Sequence, residues 1–266
     1  MEIQGDRLKI TGNNYEELYK YVKKFESEEE KTVISIIIPV YNEEKTIKKI
    51  LERLPNDNCV EIIVIDDYST DNSIEEIKKA KNFRSIKLLA HNVNKGYGRA
   101  LLTGIEAANG RIIITMDSDG QHRPEDLLNI ITPILDNEAD ITIGSRYKGS
   151  YSYKLPLTTR FGEAFLEVII ELLFGQSIKN NQGGYRAFHR RAYKIFENLK
   201  FHGYAFTTEL ILSASLGGYK IKECPIHLLE REYGKSYINL NKLLYSLLLC
   251  IGLYFFKNIK RILIRK

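Results

Sequence analysis

The segment 33–67, VISIIIPVYNEEKTIKKILERLPNDNCVEIIVIDD, contains one complete strand–helix–strand unit and decides the fold. Two runs of β-branched apolar residues, 33–38 and 60–65, flank a helical pattern over Glu44–Leu54. The same alternation continues through apolar runs at 86–89, 111–116 and 141–143 and helical patterns at 72–81, 98–108 and 124–135. Continuous apolar strands that alternate with helices are typical of a parallel sheet buried on both faces. We therefore predict an α/β fold.

The alternation ends near residue 150. Beyond it, the pattern predicts helices over 157–174 and 207–216, a glycine-rich turn at 183–184 and an extended stretch over 219–229 that Pro225 interrupts. We expect this half to pack on the sheet and to complete a site, because it has no separate core pattern of its own. Residues 1–30 read as an N-terminal extension without a signal peptide, in which 15–25 form a short amphipathic helix followed by a solvated acidic linker.

Composition places the chain among globular proteins. Of its 266 residues, 44% are hydrophobic and 27% are charged, which excludes a disordered chain. The three cysteines, Cys59, Cys224 and Cys250, are widely spaced and odd in number. This pattern excludes a disulfide framework and a zinc ribbon, and it favours a reducing cytoplasm.

The net charge of +5 is concentrated at the C-terminus. Five of the 39 basic residues lie in the last ten residues, which contain no acidic residue, so the rest of the chain has 34 basic and 34 acidic residues. A neutral body argues against nucleic acid as a partner, since nucleic-acid binding needs a broad basic face. A basic tail beside an apolar run favours contact with an anionic membrane surface.

The apolar run in that tail, Leu243 to Phe256, contains fourteen uncharged residues. Spanning a bilayer takes about 20 apolar residues, so the run is short for a transmembrane helix. Its tyrosines, phenylalanines and basic flanks instead predict an amphipathic helix in the membrane interface, over residues 238–266. The alternatives are a helix packed on the domain and a homodimer interface.

Carboxylates follow two of the predicted strands. Asp66 and Asp67 end one apolar run, and Asp117, Ser118 and Asp119 follow another. The carboxyl ends of parallel strands lie along one edge of the sheet, where ligands bind. So many carboxylates at one edge would repel one another without a cation between them, and oxygen ligands of this kind suit Mg²⁺ or Mn²⁺. The alternative is solvated aspartates in turns.

These motifs, taken together, resemble a known family. The segments IIIPVYNEEKTI, VIDDYSTDNS, NKGYGRAL, MDSDGQHRPED and GSRY resemble family 2 glycosyltransferases of the GT-A fold. Three later segments, NNQGGYRAFHR, GYAFTTEL and EREYGKSY, resemble the branch that transfers mannose or glucose to dolichyl or polyprenyl phosphate. The resemblance implies a Rossmann-like, mostly parallel sheet between helices and a catalytic domain over residues 31–237.

The resemblance also implies roles for particular residues. The donor site would contain residues from several strand ends: Pro39, Tyr41, Glu43, Ile65, Asp67, Asp117, Ser118, Asp119, Arg146, Arg231 and Lys235. Among them, Asp117, Asp119, Arg146 and Arg231 would be the catalytic set, and Asp117, Asp119 and Gln121 would hold the metal. Arg160 and Arg186 would bind the acceptor phosphate, and Glu209 would face the sugar pocket. His122 follows the metal motif, and we expect it either to support the metal ligands or to lie on the protein surface.

The function implied is a metal-dependent, inverting transfer of a sugar to polyprenyl phosphate. The donor would be a UDP-sugar or GDP-mannose, and the enzyme would lie peripherally on the cytoplasmic face of a membrane. Two other functions fit the same residues: transfer to a soluble glycan or protein, and a non-catalytic module that binds nucleotide sugars.

Overall fold

The computed structural model describes residues 15–25, 33–80, 86–152, 157–203, 205–233 and 240–264. Within these ranges, one sheet contains seven strands: β1 (Ile34–Val40), β2 (Val60–Asp66), β3 (Ile86–Ala90), β4 (Ile112–Thr115), β5 (Ile141–Tyr151), β6 (Arg186–His189) and β7 (Ile221–Leu228). The helices are α1 (Glu16–Lys23), α2 (Ile47–Arg53), α3 (Ser73–Lys79), α4 (Tyr97–Glu106), α5 (Leu127–Leu135), α6 (Leu157–Phe174), α7 (Phe206–Gly217) and α8 (Leu240–Ile264). Two 3₁₀ helices, Pro124–Asp126 and Arg190–Phe196, precede α5 and follow β6.

The strand order is β3-β2-β1-β4-β6-β5-β7. Strands β1 to β4 are parallel, which confirms the prediction from the first half of the sequence. Strand β6 is antiparallel to both β4 and β5, so β5 again runs parallel to β4. The sequence analysis missed β6 because four residues show no periodicity of their own.

The sheet is buried on both faces, as the apolar strands predicted. Residues that alternate along β1 point to opposite sides: Ile36 and Ile38 pack toward α1, α2 and α5, whereas Ile37 packs toward α4. The second half of the chain adds β5, β6 and β7 to this same sheet and does not form a separate one. Strand β7 passes through Pro225 because it is the edge strand, where a missing N–H breaks no ladder.

The C-terminal helix packs on the domain through one face only. One face of α8 packs on α6 and α7 through the buried residues Leu247, Cys250 and Ile251. The other face leaves large apolar side chains exposed, at Leu244, Tyr245, Leu248, Leu249, Leu253, Phe256 and Ile259. Within α8, Lys242–Lys260 are 19 residues of mean hydropathy 1.4, long and apolar enough by length and composition to cross a membrane. The uncharged run of fourteen residues is thus the centre of a longer helix, since α8 continues through both charged flanks.

Candidate active site

The predicted carboxylates meet at the carboxyl edge of the sheet. Asp117 and Asp119 follow β4 in the middle of the sheet, and Arg231 follows β7, the strand at one end of the strand order. Arg231 Nη2 donates to Asp119 Oδ2 over 2.7 Å and lies 4.0 Å from Glu43 Oε1. The structure thus brings together residues from three distant motifs.

Asp117 is held by groups from two other segments. The hydroxyl of Tyr97, at the start of α4, donates to Asp117 Oδ1 over 2.8 Å. The backbone N–H of Asp117 donates to His122 Nδ1 over 3.1 Å, and the His122 ring is buried against Tyr185. A side chain at Gly184 would place its Cβ only 2.6 Å from Asp117 Oδ1, so glycine is required there. His122 therefore positions Asp117 and is not a surface residue.

The electrostatics of this edge favour a bound cation. Burial raises the pKa of Asp117, and the negative charge of Asp119 adds to the effect. Burial likewise raises the pKa of Glu43 to about 7, although Thr46 and Arg231 oppose it. In the part of the chain with described side chains, no group of three or more His, Cys, Asp or Glu could hold a metal. Two carboxylates fit a Mg²⁺ or Mn²⁺ ion that shares its remaining positions with substrate phosphates.

Gln121 and Ser118, which lie next to Asp117 and Asp119 in the chain, are held by hydrogen bonds. Gln121 donates its backbone N–H to Asp119 Oδ1 over 3.0 Å and its side-chain amide to the carbonyl of Leu229 over 3.1 Å. The side-chain carbonyl is then the Gln121 atom able to meet a cation. The Ser118 hydroxyl donates to the Pro39 carbonyl over 2.7 Å, so it ties β4 to β1. The predicted donor contact of Ser118 would therefore involve its backbone or a rearranged hydroxyl.

Asp67 and Asp66, at the end of β2, differ in how their carboxylates are paired. The Asp67 carboxylate accepts the N–H groups of Lys95 and Gly96, each over 2.8 Å, and pairs with His91 over 2.7 Å. It is buried and organises the loop before α4, and its contact with the donor stays a prediction. Asp66, a strand-end carboxylate outside the predicted donor set, has a buried Oδ1 with no hydrogen-bond partner among the described residues. This oxygen can accept an N–H group of a ligand.

The remaining residues of the predicted donor set divide between surface and core. Tyr41 is exposed beside the crevice. Ile65 is fully buried under α4, where a Cβ on Gly104 would lie 2.6 Å from its Cδ1. Its side chain is therefore part of the core, and the predicted donor contact would involve the Ile65 backbone. Lys235 lies outside the described residues.

Two of the predicted phosphate-binding arginines lie together. Arg146, on β5, donates from Nη2 to Glu163 Oε1 on α6 over 2.5 Å. Arg160, also on α6, places its guanidinium 4.3 Å from the centre of the Tyr147 ring. Burial lowers the pKa of Arg146, but the adjacent Glu163 carboxylate outweighs it and the net pKa is raised.

Arg186 is not at the surface of the site. It is 2% exposed, and its guanidinium donates to the carbonyls of Gly183, Asn181 and Thr207 over 2.8, 2.9 and 2.8 Å. Burial lowers its pKa to about 10, so it remains charged at neutral pH. Three backbone carbonyls therefore hold the guanidinium that the resemblance assigns to the acceptor phosphate, and that role stays a prediction.

Glu209 is also placed elsewhere. Its carboxylate is fully buried and accepts the N–H groups of Lys200 and Phe201 and the hydroxyl of Tyr254 on α8. It locks α7 to α8 and does not face a sugar pocket, which corrects the interpretation from the motif. Tyr97 and Gly184 were missed as contacts of Asp117, although both lie inside the quoted segments NKGYGRAL and NNQGGYRAFHR.

Comparisons with known proteins agree with this geometry. A sequence model described as "Glycosyl transferase family 2" matches residues 35–196. A UDP-N-acetylglucosamine–dolichyl-phosphate N-acetylglucosaminyltransferase of Methanococcus voltae is 34% identical, over 77% of this chain and 88% of that protein. An undecaprenyl-phosphate 4-deoxy-4-formamido-L-arabinose transferase of Proteus mirabilis is 28% identical, over 82% of this chain and 67% of that protein. These matches confirm the resemblance found in the motifs.

A solved structure shares the fold. Glucosyl-3-phosphoglycerate synthase of Mycobacterium tuberculosis, crystallised with Mn²⁺, uridine diphosphate and glucosyl-3-phosphoglycerate, matches with a TM-score of 0.70. The match covers 93% of this chain and 86% of that one at 18% identity. At this identity the likeness shows the GT-A architecture and nothing finer.

Proposed function

Because the chain belongs to glycosyl transferase family 2 and is a glycosyltransferase, we propose that it transfers a sugar from a nucleotide sugar to polyprenyl phosphate. The donor is a UDP-sugar or GDP-mannose, with the UDP-sugar favoured by the NQGGYR segment and by the donor named for the Methanococcus voltae relative. The reaction takes place on the cytoplasmic face of a membrane. The catalytic domain extends over residues 31–237.

The residues at the sheet edge support this chemistry. A divalent cation on Asp117 and Asp119 would act as a Lewis acid for the leaving diphosphate. Arg231, within 4.0 Å of both Glu43 and Asp119, supplies a fixed guanidinium that suits phosphate oxygens. An oxygen of the lipid phosphate attacks the anomeric carbon as the bond from that carbon to the diphosphate oxygen breaks, with inversion. That phosphate has a second pKa of about 6 and needs no general base.

The observation that carries the choice of acceptor is the position of Arg160. Together with Arg146 it forms a cationic cluster at the start of α6, and the next residue, Phe161, is 73% exposed. Phe161 begins an apolar stripe along the outer face of α6, which continues through Phe165, Val168 and Leu172. A charged site directly beside an exposed apolar strip matches a phosphate carried on an isoprenoid chain.

A donor screen tests this function. We expect glycolipid to form when the protein is incubated with Mg²⁺ or Mn²⁺, a short polyprenyl phosphate and one of the nucleotide sugars, UDP-GlcNAc and UDP-glucose first. Product can be followed by mass spectrometry of the organic phase. Absence of glycolipid with every donor would overturn the proposal, and transfer to soluble glycans or proteins in the same screen would establish the alternative acceptor.

We further propose that α6 and α8 together hold the enzyme on an anionic membrane. Helices α6 and α8 contact each other, and both pack on α7. Their exposed apolar faces therefore point away from α7. Exposed lysines, Lys242, Lys257 and Lys260, lie at the two ends of the α8 face. Since the inner face of α8 is packed on protein, the helix is better placed to lie in the interface than to span the bilayer.

The double variant Leu249→Ser/Phe256→Ser is expected to weaken binding to phosphatidylcholine–phosphatidylglycerol vesicles by at least about tenfold. Each large apolar side chain withdrawn from water contributes about 1.5–3 kcal/mol, and both residues lie on the exposed face of α8. Co-sedimentation measures the effect, and these substitutions leave the packed residues in place, unlike deletion of the helix. Val93→Ser, an exposed apolar residue in a loop, is the matched control. Unchanged vesicle binding with a smaller mass in analytical ultracentrifugation would instead identify this face as a homodimer interface.

A further inference from the structure

Glu163 on α6 is the carboxylate that pairs with Arg146 of the cationic cluster. Its Oε1 accepts from Arg146 Nη2 over 2.5 Å, and its Oε2 accepts the hydroxyl of Tyr147. The Glu163 and Arg146 side chains are only 8% and 12% exposed. A carboxylate buried to this degree is costly unless a cation and hydrogen bonds satisfy it, and here both oxygens are satisfied.

The cluster lies beside the aspartates. Thr115 on β4 and Ile143 on β5 both pair with Arg186 of β6, so they are at the same height and two strands apart. Asp117 and Ser145 each lie two residues further along, which sets their backbones about 10 Å apart at a strand spacing of about 4.8 Å. The 180–184 loop bridges this gap, because Asn181 donates to the Glu163 carbonyl and Gly184 abuts Asp117. An anion at Arg146 is therefore within reach of the crevice at Asp117.

The cluster has more cationic donors than Glu163 uses. The Arg146 and Arg160 guanidinium groups lie 5.1 and 4.3 Å from the centre of the same Tyr147 ring, and only Arg146 is paired with Glu163. Arg146 Nε and Arg160 Nη1 are buried without hydrogen-bond partners among the described residues. Unpaired buried N–H groups cost free energy, so a site that keeps two of them is incomplete without a further acceptor. A phosphate monoester has more acceptor oxygens and more negative charge than a carboxylate, and it can satisfy both arginines.

We propose that Glu163 is a built-in counter-ion, which holds Arg146 in the absence of acceptor and is displaced from it by the acceptor phosphate. This inference rests on the proposed function, and it moves Arg146 from the donor site, where the resemblance placed it, to the lipid phosphate beside Arg160. Glu163 is then a positioning residue that sets acceptor specificity. A dianionic phosphate competes effectively with one carboxylate for two arginines, whereas the hydroxyl of a glycan does not.

Glu163→Gln tests the proposal directly. The amide keeps the shape of the side chain and one acceptor oxygen but removes the charge that competes with phosphate. We expect inorganic phosphate and farnesyl phosphate to bind the variant about tenfold more tightly in calorimetry, since charge-assisted hydrogen bonds are about twice as strong as neutral ones. In turnover, the KM for the lipid phosphate falls by a similar factor while the KM for the nucleotide sugar does not change.

Glu171→Gln is the matched control, because it removes the same charge from the exposed surface of α6 two turns away. Equal tightening in both variants would show a general charge effect and would overturn the proposal. Unchanged or weaker phosphate binding in Glu163→Gln would also overturn it, since Glu163 would then merely support Arg146.

Tyr147→Phe provides a second variant if Glu163→Gln does not fold. It removes one of the two donors to Glu163 without changing the charge or the ring beneath Arg160. We expect phosphate to bind this variant about two- to fivefold more tightly, in keeping with the loss of one hydrogen bond, and unchanged binding would contradict the proposal. The calorimetric measurement needs no turnover. Altered phosphate binding without any glycolipid synthesis would therefore reject the proposed function and leave the counter-ion role standing.

Discussion

Asp119→Asn is expected to lower the rate of sugar transfer by at least about 10²–10³-fold, the loss typical when a charge-stabilising group is removed from an active site. Asn keeps the size of the side chain and an acceptor for the Gln121 N–H. It removes the negative charge that pairs with Arg231 and that would bind the cation. The cation proposed for this site and the Arg231 guanidinium would both lose their anchor in this variant.

Initial rates with saturating donor and polyprenyl phosphate measure this effect, and Mn²⁺ binding in the presence of a nucleoside diphosphate provides a readout independent of turnover. Asp136→Asn is the control, since it changes the same residue type in an exposed position at the end of α5. A variant that keeps both its rate and its affinity for Mn²⁺ would remove Asp119 from the metal site.

Arg186→Met is expected to lower the free energy of unfolding by about 3–5 kcal/mol, in the range found when one partner of a buried charged network is removed. Three backbone carbonyls, from Gly183, Asn181 and Thr207, lose their donor. The carbonyls belong to the loop next to Asp117 and to the start of α7. Loss of the Arg186 guanidinium therefore affects both segments. The midpoint of thermal unfolding should fall by roughly 6–15 °C.

Thermal and chemical denaturation measure this change. Arg99→Met on α4 is the control, because the Arg99 side chain is 41% exposed and its ion pair with Glu106 is 3.7 Å long. Surface pairs of this kind contribute about 0–1 kcal/mol. If Arg186→Met kept its stability and instead raised the KM for the lipid phosphate, the result would support the predicted binding of the acceptor phosphate by Arg186.

Three motif residues, Asp117, Asp119 and Arg231, come together at the edge of the sheet. They carry charges at the carboxyl ends of strands or just beyond them, and strand ends can be recognised from apolar runs in the sequence. Three other motif residues have a different environment. Asp67, Arg186 and Glu209 are charged residues in matching motifs whose backbone neighbours satisfy them internally. A motif shows which residues recur together, but it does not show which N–H or C=O groups surround a side chain.

The sequence by itself determined the parallel half of the sheet, the edge where the carboxylates gather and the presence of a basic, apolar tail. These properties follow from local periodicity and from the rule that parallel strands end at one edge. Only the tertiary structure decided that Asp119 pairs with Arg231, that Glu163 faces Arg146, and that α6 lies beside α8 with a second apolar face. Each of these contacts joins residues that are distant along the chain or on different elements. Their partners are set by strand order and helix packing, which no local pattern in the sequence specifies.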